Sequence, residues 1–541
     1  MKKGKAATGA LTLLLTASSV LGCSSNNNEG TPTATGSAPV ASESAPAEST
    51  AGNANQKVVK FSYLRPTWGP ATYAKGGAYE KELFKQANVE IDVQIIPVID
   101  FDAKINTILA GGDLPDVLWA NGPLMERDRN LQEQGAFLPI NEYLDKYPAV
   151  KEAVPDGIWE QLKAKDGNNY FIPNLIYPIT PAPIMYRQDW FEKLGIAEPK
   201  TVDELVAALK VIKNSDPDGN GKNDTVPLTA GYEWSFKDLA TAWGVSFNGW
   251  TPDPKDANRI IPSIANEKNI DFYYWLQSLY KEGLLDPEFK LNKEPNFAEN
   301  KFNAGMAAVI ATPWVSYIEK VTKLQKLDPN AKVGIMSPLA GPDGTPGGTR
   351  SVFPVDRGFY ISAKTKDPDG IFRYLNWTLT EGSDFRRYGV EGKTYNVVDG
   401  KKVVIPNEQR ETDYKGEQIE PLHFLDPIEE KLDWDSLQLD YEGAGIGDKF
   451  AYVKGKFAEY AKIDYPDWRD YTVASPADAE LGARLWNDYL QPVIDSAIIN
   501  KSSNKQQWLD ALKKWSDAGG QKIIDEVNQL QTNKSKPDYV N

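Results

Sequence analysis

The stretch "SDPDGNGKND" (215–224) sets Asp216, Asp218 and Asn220 at alternate positions, followed by the main-chain carbonyl of Lys222 and the carboxylate of Asp224. With Gly221 sixth, this is the spacing of an EF-hand calcium loop. A calcium ion takes roughly six to eight hard oxygens, and alternate side chains folded toward one centre can supply most of them. The twelfth position is Pro227, so the usual bidentate glutamate is missing. The competing reading is a helix stop built from Asp-Gly and Asn-Gly turn chemistry, with no metal. The favoured expectation is a bound calcium with a structural role, joining a helix to the strand around "TVPLTA". "KDPDGIF" (366–372) opens the same way but lacks the later ligands, and it reads as a turn only.

Other chemistry is thinly supplied. One histidine, His423, and one cysteine, Cys23, leave zinc hydrolysis and His- or Cys-based catalysis poorly served. His423, in "PLHFLDP", reads as a packed loop residue. A glycosidase needs only two carboxylates, so 75 acidic residues keep that class open. The 15 Trp, 25 Tyr and 19 Phe exceed what a core of this size demands, which points to aromatic faces at work on a surface.

These residues must be carried by more than one core, because 541 residues exceed an ordinary single domain. The net charge of -15 disfavours nucleic acid as a partner. Lys2, Lys3 and Lys5, the apolar run "ALTLLLTASSVLG" and then Cys23 read as an export signal over residues 1–22. With no second cysteine, the exported chain must hold its fold without disulfides. Residues 24–56 contain no large apolar side chain other than Val40 and are rich in Ser, Ala, Thr, Pro and Gly, so they read as a disordered tether.

Order is expected from "KVVKFSYL" (57–64), an alternating strand. A helix around "GGAYEKELFKQA", a strand at 89–98, a helix in "FDAKINTILAGG" and a strand at 116–120 complete the pattern of a parallel sheet with crossover helices. Further helices are expected at 189–195, at 201–215 with a Thr201/Glu204 capping box, at 269–285 and at 506–531. Tyr273, Tyr274, Trp275, Trp508 and Trp515 fall within those helices and read as core. "GTRSVFPVDRGFYISAK" (348–364) reads as a return to extended structure.

Six segments in register resemble the extracellular solute-binding proteins of carbohydrate ABC importers, the family of maltose-binding protein. They are "LAGGDLPDVLWANG", "GAFLPINEYL", "DGNNYFIP", "YRQDWFEKLGIAEPKTVDELVAALKVIKNSDPDGNGKNDTVPL", "LYKEGLLDPEF" and "RRYGVEGKTYNV", and the tail "DALKKWSDAGGQKIIDEVNQ" is similar to the family's last helices. "VLGC" (20–23) resembles a bacterial lipoprotein signal, in which Cys23 is lipidated. The resemblance implies an α/β, two-lobed periplasmic-binding-protein-like fold with a hinge and an interlobe ligand cleft. It places lobe one at 57–177 plus 357–395, and lobe two at 178–356 plus 396–541. It further implies a monomer without enzymatic activity, lipid-anchored on the extracellular face of the membrane, that passes an oligosaccharide to permease subunits.

A sugar cleft needs aromatic platforms for C–H faces and planar polar groups for hydroxyls. Trp68 and Trp119 follow or end expected strands; Trp314, Tyr232 and Trp234 fall where the resemblance implies stacking aromatics. Arg65, Asn121 and Arg357 are the candidate polar partners. In the calcium loop, the resemblance implies an acid directly after Asp224, where this chain has Thr225. Two other functions stay open: an exported calcium-containing glycoside hydrolase or lyase, and a polysaccharide-binding surface adhesin.

Overall fold

The computed structural model describes residues 57–67, 73–120, 126–231, 233–290, 296–427, 432–470, 473, 475–532 and 535–538. Strand β1 (Val59–Thr67) begins with alternating burial and becomes buried on both faces from Tyr63. The helix Ala78–Ala87 stops at Asn88, which takes the left-handed conformation at φ 56° and turns the chain into β2 (Val89–Pro97). Asparagine tolerates this region because its short amide bonds locally. The helix Val98–Gly111 then leads to β3 (Val117–Ala120). These helical crossovers allow β1 to pair in parallel with both β2 and β3. The expected strands and crossover helices of this region are all present.

β4 (Phe171–Leu175) ends the first pass through this lobe, and β11 (Val355–Ile361) returns to it much later, lying antiparallel between β3 and β4. The sheet order is β2-β1-β3-β11-β4. A second sheet, in order β10-β5-β9-β6, contains β5 (Ile184–Arg187), β6 (Val226–Ala230), β9 (Ala307–Ala311) and β10 (Val333–Ile335). Beside it stands a hairpin of β7 (Trp250–Asp253) and β8 (Asp256–Pro262). Both lobes lie within one compact unit, Gly52–Asn541.

The helix Val202–Lys213 starts as expected, with Thr201 Oγ1 accepting the Glu204 N–H at 3.1 Å. Glu204 reaches back to the N–H of Lys200 rather than of Thr201, so the box closes one residue early. The tail is two helices, Lys505–Trp515 and Gln521–Leu530, joined by a wide turn in which Gly519 has φ 134°. Trp508 is fully buried and donates to the Ile264 carbonyl at 3.2 Å; burying such a ring contributes about 2–3 kcal/mol. Tyr273 and Trp515 are also in the core, and Tyr274 and Trp275 pack on it.

Two expectations change. "KDPDGIF" is not a turn only: Asp367 caps the helix Pro368–Leu379, its carboxylate accepting the Gly370 N–H at 3.1 Å. Asp before Pro is as much a helix start as a turn, since proline suits the first helical position. The lobe boundary at 395 also moves. After the hairpin β12 (Tyr395–Val398) and β13 (Lys401–Val404), Tyr414, Leu422, Phe424 and Leu425 join the lobe-one core. Phe424 packs edge-on against Tyr63 and Phe359, so residues up to about 426 belong to lobe one. His423, beside it, is largely packed and lies 3.4 Å from Asp426.

Candidate ligand cleft and aspartate loop

Strand directions determine where the lobes face each other. β1 and β3 are parallel, so Thr67 and Ala120 end on one edge of the first sheet. β4 ends at that edge with Leu175, and β11 starts there with Val355. Residues 176–183 lead from it to the start of β5, and the pairings of the second sheet put the ends of β6, β9 and β10 beside Ile184. Each sheet therefore turns the carboxyl ends of its parallel strands toward the connections, the position where open α/β sheets bind ligands.

The connections form a ribbon. Ile176 N–H donates to the Pro354 carbonyl at 2.8 Å, Val352 N–H to Pro178 at 3.2 Å, and Thr349 N–H to Ile463 at 2.9 Å. Asp238, 3% exposed, ties the ribbon together by accepting from the N–H groups of Ala182 and Arg350 and from the Thr349 hydroxyl. Nothing in its local sequence, "FKDLA", signals that role.

Arg65 stands near the end of β1, but it is buried and committed within lobe one. It pairs with the Glu420 carboxylate, donates to the Glu420 carbonyl at 3.0 Å and to Pro66 at 3.2 Å. Trp119, 4% exposed, meets Phe101 edge to face at 5.3 Å, and the Arg357 guanidinium lies 5.8 Å from its ring centre. Arg65 and Trp119 are thus both covered by partners from elsewhere in lobe one. Arg357 is the third residue of β11, directly after a register shift between Val355 and Arg357.

Trp314 follows β9 and gathers an aromatic group that spacing could not reveal. Its ring lies 5.0 Å from Phe457 and 5.7 Å from Trp434, with Tyr177 of the ribbon 6.4 Å from Phe457. Trp434 is half-buried and carries the Lys454 ammonium 4.9 Å over its ring. Trp234 lies in the short turn Glu233–Phe236, with its side chain outside the described residues. Trp68, Asn121, Tyr232 and Cys23 also lie outside them.

A polar latch joins the lobes. From the lobe-one helix Ser383–Tyr388, Arg387 pairs with Asp433 and donates to the Ser436 hydroxyl at 2.9 Å, while the Tyr388 hydroxyl lies 3.1 Å from that same oxygen. Asp433 also caps the helix Trp434–Gly443, which packs on the lobe-two aromatics. Burial alone would raise the Asp433 pKa, but the Ser436 N–H and the Arg387 guanidinium hold it below the usual carboxylate range.

In the aspartate loop, the carboxylates of Asp218 and Asp224 converge on the Asn220 amide. Asp216 accepts the N–H groups of Gly219 at 2.9 Å and Gly221 at 2.8 Å. The Asn220 amide nitrogen donates to Asp218 at 2.9 Å and to Asp224 at 3.0 Å. The hydrogen bond from Asp218, together with the loop N–H groups, lowers the Asp216 pKa. Burial, then that shared bond, raises the Asp218 pKa. The carboxylates of Asp216, Asp218 and Asp224 are hard donors of the kind calcium takes, but the Asn220 amide nitrogen faces Asp218 and Asp224 here, while its oxygen accepts the Lys222 N–H at 2.8 Å. Among the described residues, no group of three or more His, Cys, Asp or Glu is arranged to hold a metal, and no helix is long and apolar enough to cross a membrane.

Two α/β lobes, a connecting ribbon and facing strand ends define the two-lobed fold of a binding protein. The chain belongs to the bacterial extracellular solute-binding protein family, whose pattern it matches over residues 68–384. It is 24% identical to the polygalacturonan/rhamnogalacturonan-binding protein YtcQ of Bacillus subtilis (strain 168), over 83% of this chain and 87% of that one. It is 22% identical to Lipoprotein LipO of the same organism, over 86% and 91%. The crystal structure of the alginate-binding protein AlgQ2 without calcium ion superposes with a TM-score of 0.68 at 21% identity, covering 88% of this chain and 98% of that one.

Proposed function

We propose that the protein captures an oligosaccharide between its lobes and delivers it to the permease subunits of an ABC importer, without cleaving it. The carrying observation is the aromatic group of Trp314, Trp434 and Phe457 on one side of the ribbon, with Arg357 on the other. Such a pairing matches the C–H faces and hydroxyl edges of a sugar. The carbohydrate-binding relative YtcQ supports the substrate class. Its acidic sugar polymer makes Arg357 a reasonable partner for a ligand carboxylate.

The chain acts as a monomer, tethered through a lipidated Cys23 on the extracellular face of the membrane. The signal-like start and the relative LipO support this anchor. Asp216, Asp218, Asn220, Asp224 and the Lys222 carbonyl would hold a structural calcium that fixes the end of the helix Val202–Lys213 against β6. Waters would complete its shell in place of the missing glutamate.

The test is to incubate the purified mature chain with oligogalacturonides, rhamnogalacturonan fragments and fructo-oligosaccharides, following both melting temperature and products. The expected result is a raised melting temperature with at least one sugar and no new reducing ends. Cleavage, or indifference to every sugar, overturns the reading.

A further inference from the structure

Lobe two contains a second cavity, of about 330 Å³, that none of the strand ends around the cleft lines. Its wall is aromatic: Trp250 at the start of β7, Tyr273 on the helix Glu267–Lys281, and Trp486 and Trp515 from the C-terminal helices. Trp250 and Trp515 are buried, whereas Trp486 keeps 40% of its surface exposed. Gly520 secures one wall, since a Cβ there would lie 2.4 Å from the Trp515 ring. Only glycine lets that indole lie flat.

The backbone around the cavity is unusual. Two π-helical turns, Asp478–Gly482 and Trp486–Leu490, and a third irregular segment, the kinked link Ser516–Gly520, fall in this part of the chain. The first two contribute both of their end residues to the wall, and the third directly follows Trp515. A π turn is less stable than the α-helix it interrupts, and such turns occur frequently at functional sites.

The polar groups narrow the ligand class. The Arg469 guanidinium lies 5.5 Å from the Trp250 ring centre and donates to the Asp478 carboxylate at 2.7 Å. This pair is neutral as a whole, so an anion would face Asp478 and a cation would face Arg469. Asn269, 1% exposed, donates its amide nitrogen to the Phe247 carbonyl at 2.9 Å. That bond fixes the amide orientation and leaves Oδ1 as a buried acceptor without a donor. A purely aliphatic ligand would leave these groups unmatched, whereas a hydroxyl-bearing ring suits both the indoles and the polar pair. The volume is at the small end of ligand sites, about 300–1,000 Å³, with room for roughly one sugar ring.

We propose that this cavity is a second carbohydrate site for a neutral monosaccharide or the end ring of a longer chain. Trp486 serves as the stacking platform, and the Arg469–Asp478 pair and Asn269 receive hydroxyls. The proposal does not rest on the cleft reading, and the two are separable by mutation.

Saturation-transfer NMR on the full mature chain, with D-galactose, D-glucose, L-rhamnose and D-fructose as probes, tests it. The expected result is transfer to the ring protons of at least one sugar, reduced at least fivefold by Trp486→Ala and partly restored by Trp486→Phe. Asp478→Asn should weaken the same signal, and Trp434→Ala at the cleft should leave it unchanged. Unchanged melting temperatures would show that the exposed Trp486 is dispensable for folding. Absence of transfer to all four probes, transfer that survives Trp486→Ala, or transfer abolished by Trp434→Ala instead would overturn the second site.

Discussion

The two lobes offer the cleft different surfaces. On the lobe-one edge, Arg65 is buried against Glu420 and Trp119 is covered by Phe101 and Arg357. On the lobe-two side, Trp314, Trp434 and Phe457 form an aromatic group with one half-buried member. The first edge commits its arginine to polar bonds within lobe one, and the second carries apolar ring area. A ligand gripped by both needs hydroxyl or carboxylate edges on one side and C–H faces on the other. On the proposed cleft reading, closure would bring the two kinds of contact together around such a ligand.

Removing a ring from lobe two should break this asymmetry most severely. Trp314→Ala deletes a 94%-buried indole at the centre of its cluster, at a cost of about 3–5 kcal/mol in urea unfolding. Trp434→Ala should cost less stability but lower oligosaccharide affinity about tenfold, because part of that ring is free to meet a ligand. Wild-type affinity in the Trp434 variant would move the aromatic contact elsewhere.

The aspartate loop should produce the next largest effect. Calcium at a hundred times its dissociation constant should add about 2.7 kcal/mol to lobe-two stability, read as a melting-temperature rise reversed by a chelator. Asp216→Asn should abolish that rise. Uptake should weaken as pH falls through the raised pKa of Asp218, because protonation removes a ligand charge. A rise insensitive to Asp216→Asn would assign the ion to another place.

Arg65→Met keeps the apolar stem and removes the bonds to Glu420 and Pro66. A loss of about 1–3 kcal/mol in stability is expected, with little change in sugar affinity. The converse, intact stability with lost binding, would restore Arg65 to the cleft and make the two edges alike.

What the sequence revealed divides by distance along the chain. The strands at 57–64, 89–98 and 116–120 were legible because alternation and crossover helices are local patterns. The closeness of Asp218, Asn220 and Asp224 was legible because it too is local, but that the Asn220 amide nitrogen rather than its oxygen would face the two carboxylates was not. Trp119 was legible as a strand-end residue, but not its burial, which depends on Phe101 and on Arg357 returning with β11. The partners of Trp314 come from helices far later in the chain, and the 396–426 segment joins lobe one through Phe424, which no spacing rule connects to Tyr63. The Asp-Pro at 367–368 misled because a turn and a helix cap share the same residues.

The Arg387–Asp433 latch should give the smallest effect, because both side chains are about a quarter exposed and such pairs contribute at most about 1 kcal/mol. Its pH dependence has a definite sign. The folded pKa of Asp433 lies below that of a free aspartate, so the contribution is full above the free value and is lost as pH falls through the lowered one. Small-angle scattering of the sugar-free protein should therefore show the lobes opening at acid pH, and Arg387→Gln should show the wider form already at neutral pH. Asp433 is also a helix cap, which complicates a simple deletion. Asp433→Asn separates the roles, since asparagine caps as well as aspartate but cannot pair with Arg387 as a charge. It should open the lobes as Arg387→Gln does while sparing the helix, and Asp433→Ala should lose about another 1 kcal/mol. If Asp433→Asn leaves the scattering curve of the wild type unchanged, the pair is a cap accessory, and the lobes are held apart or together by the ribbon around Asp238 alone.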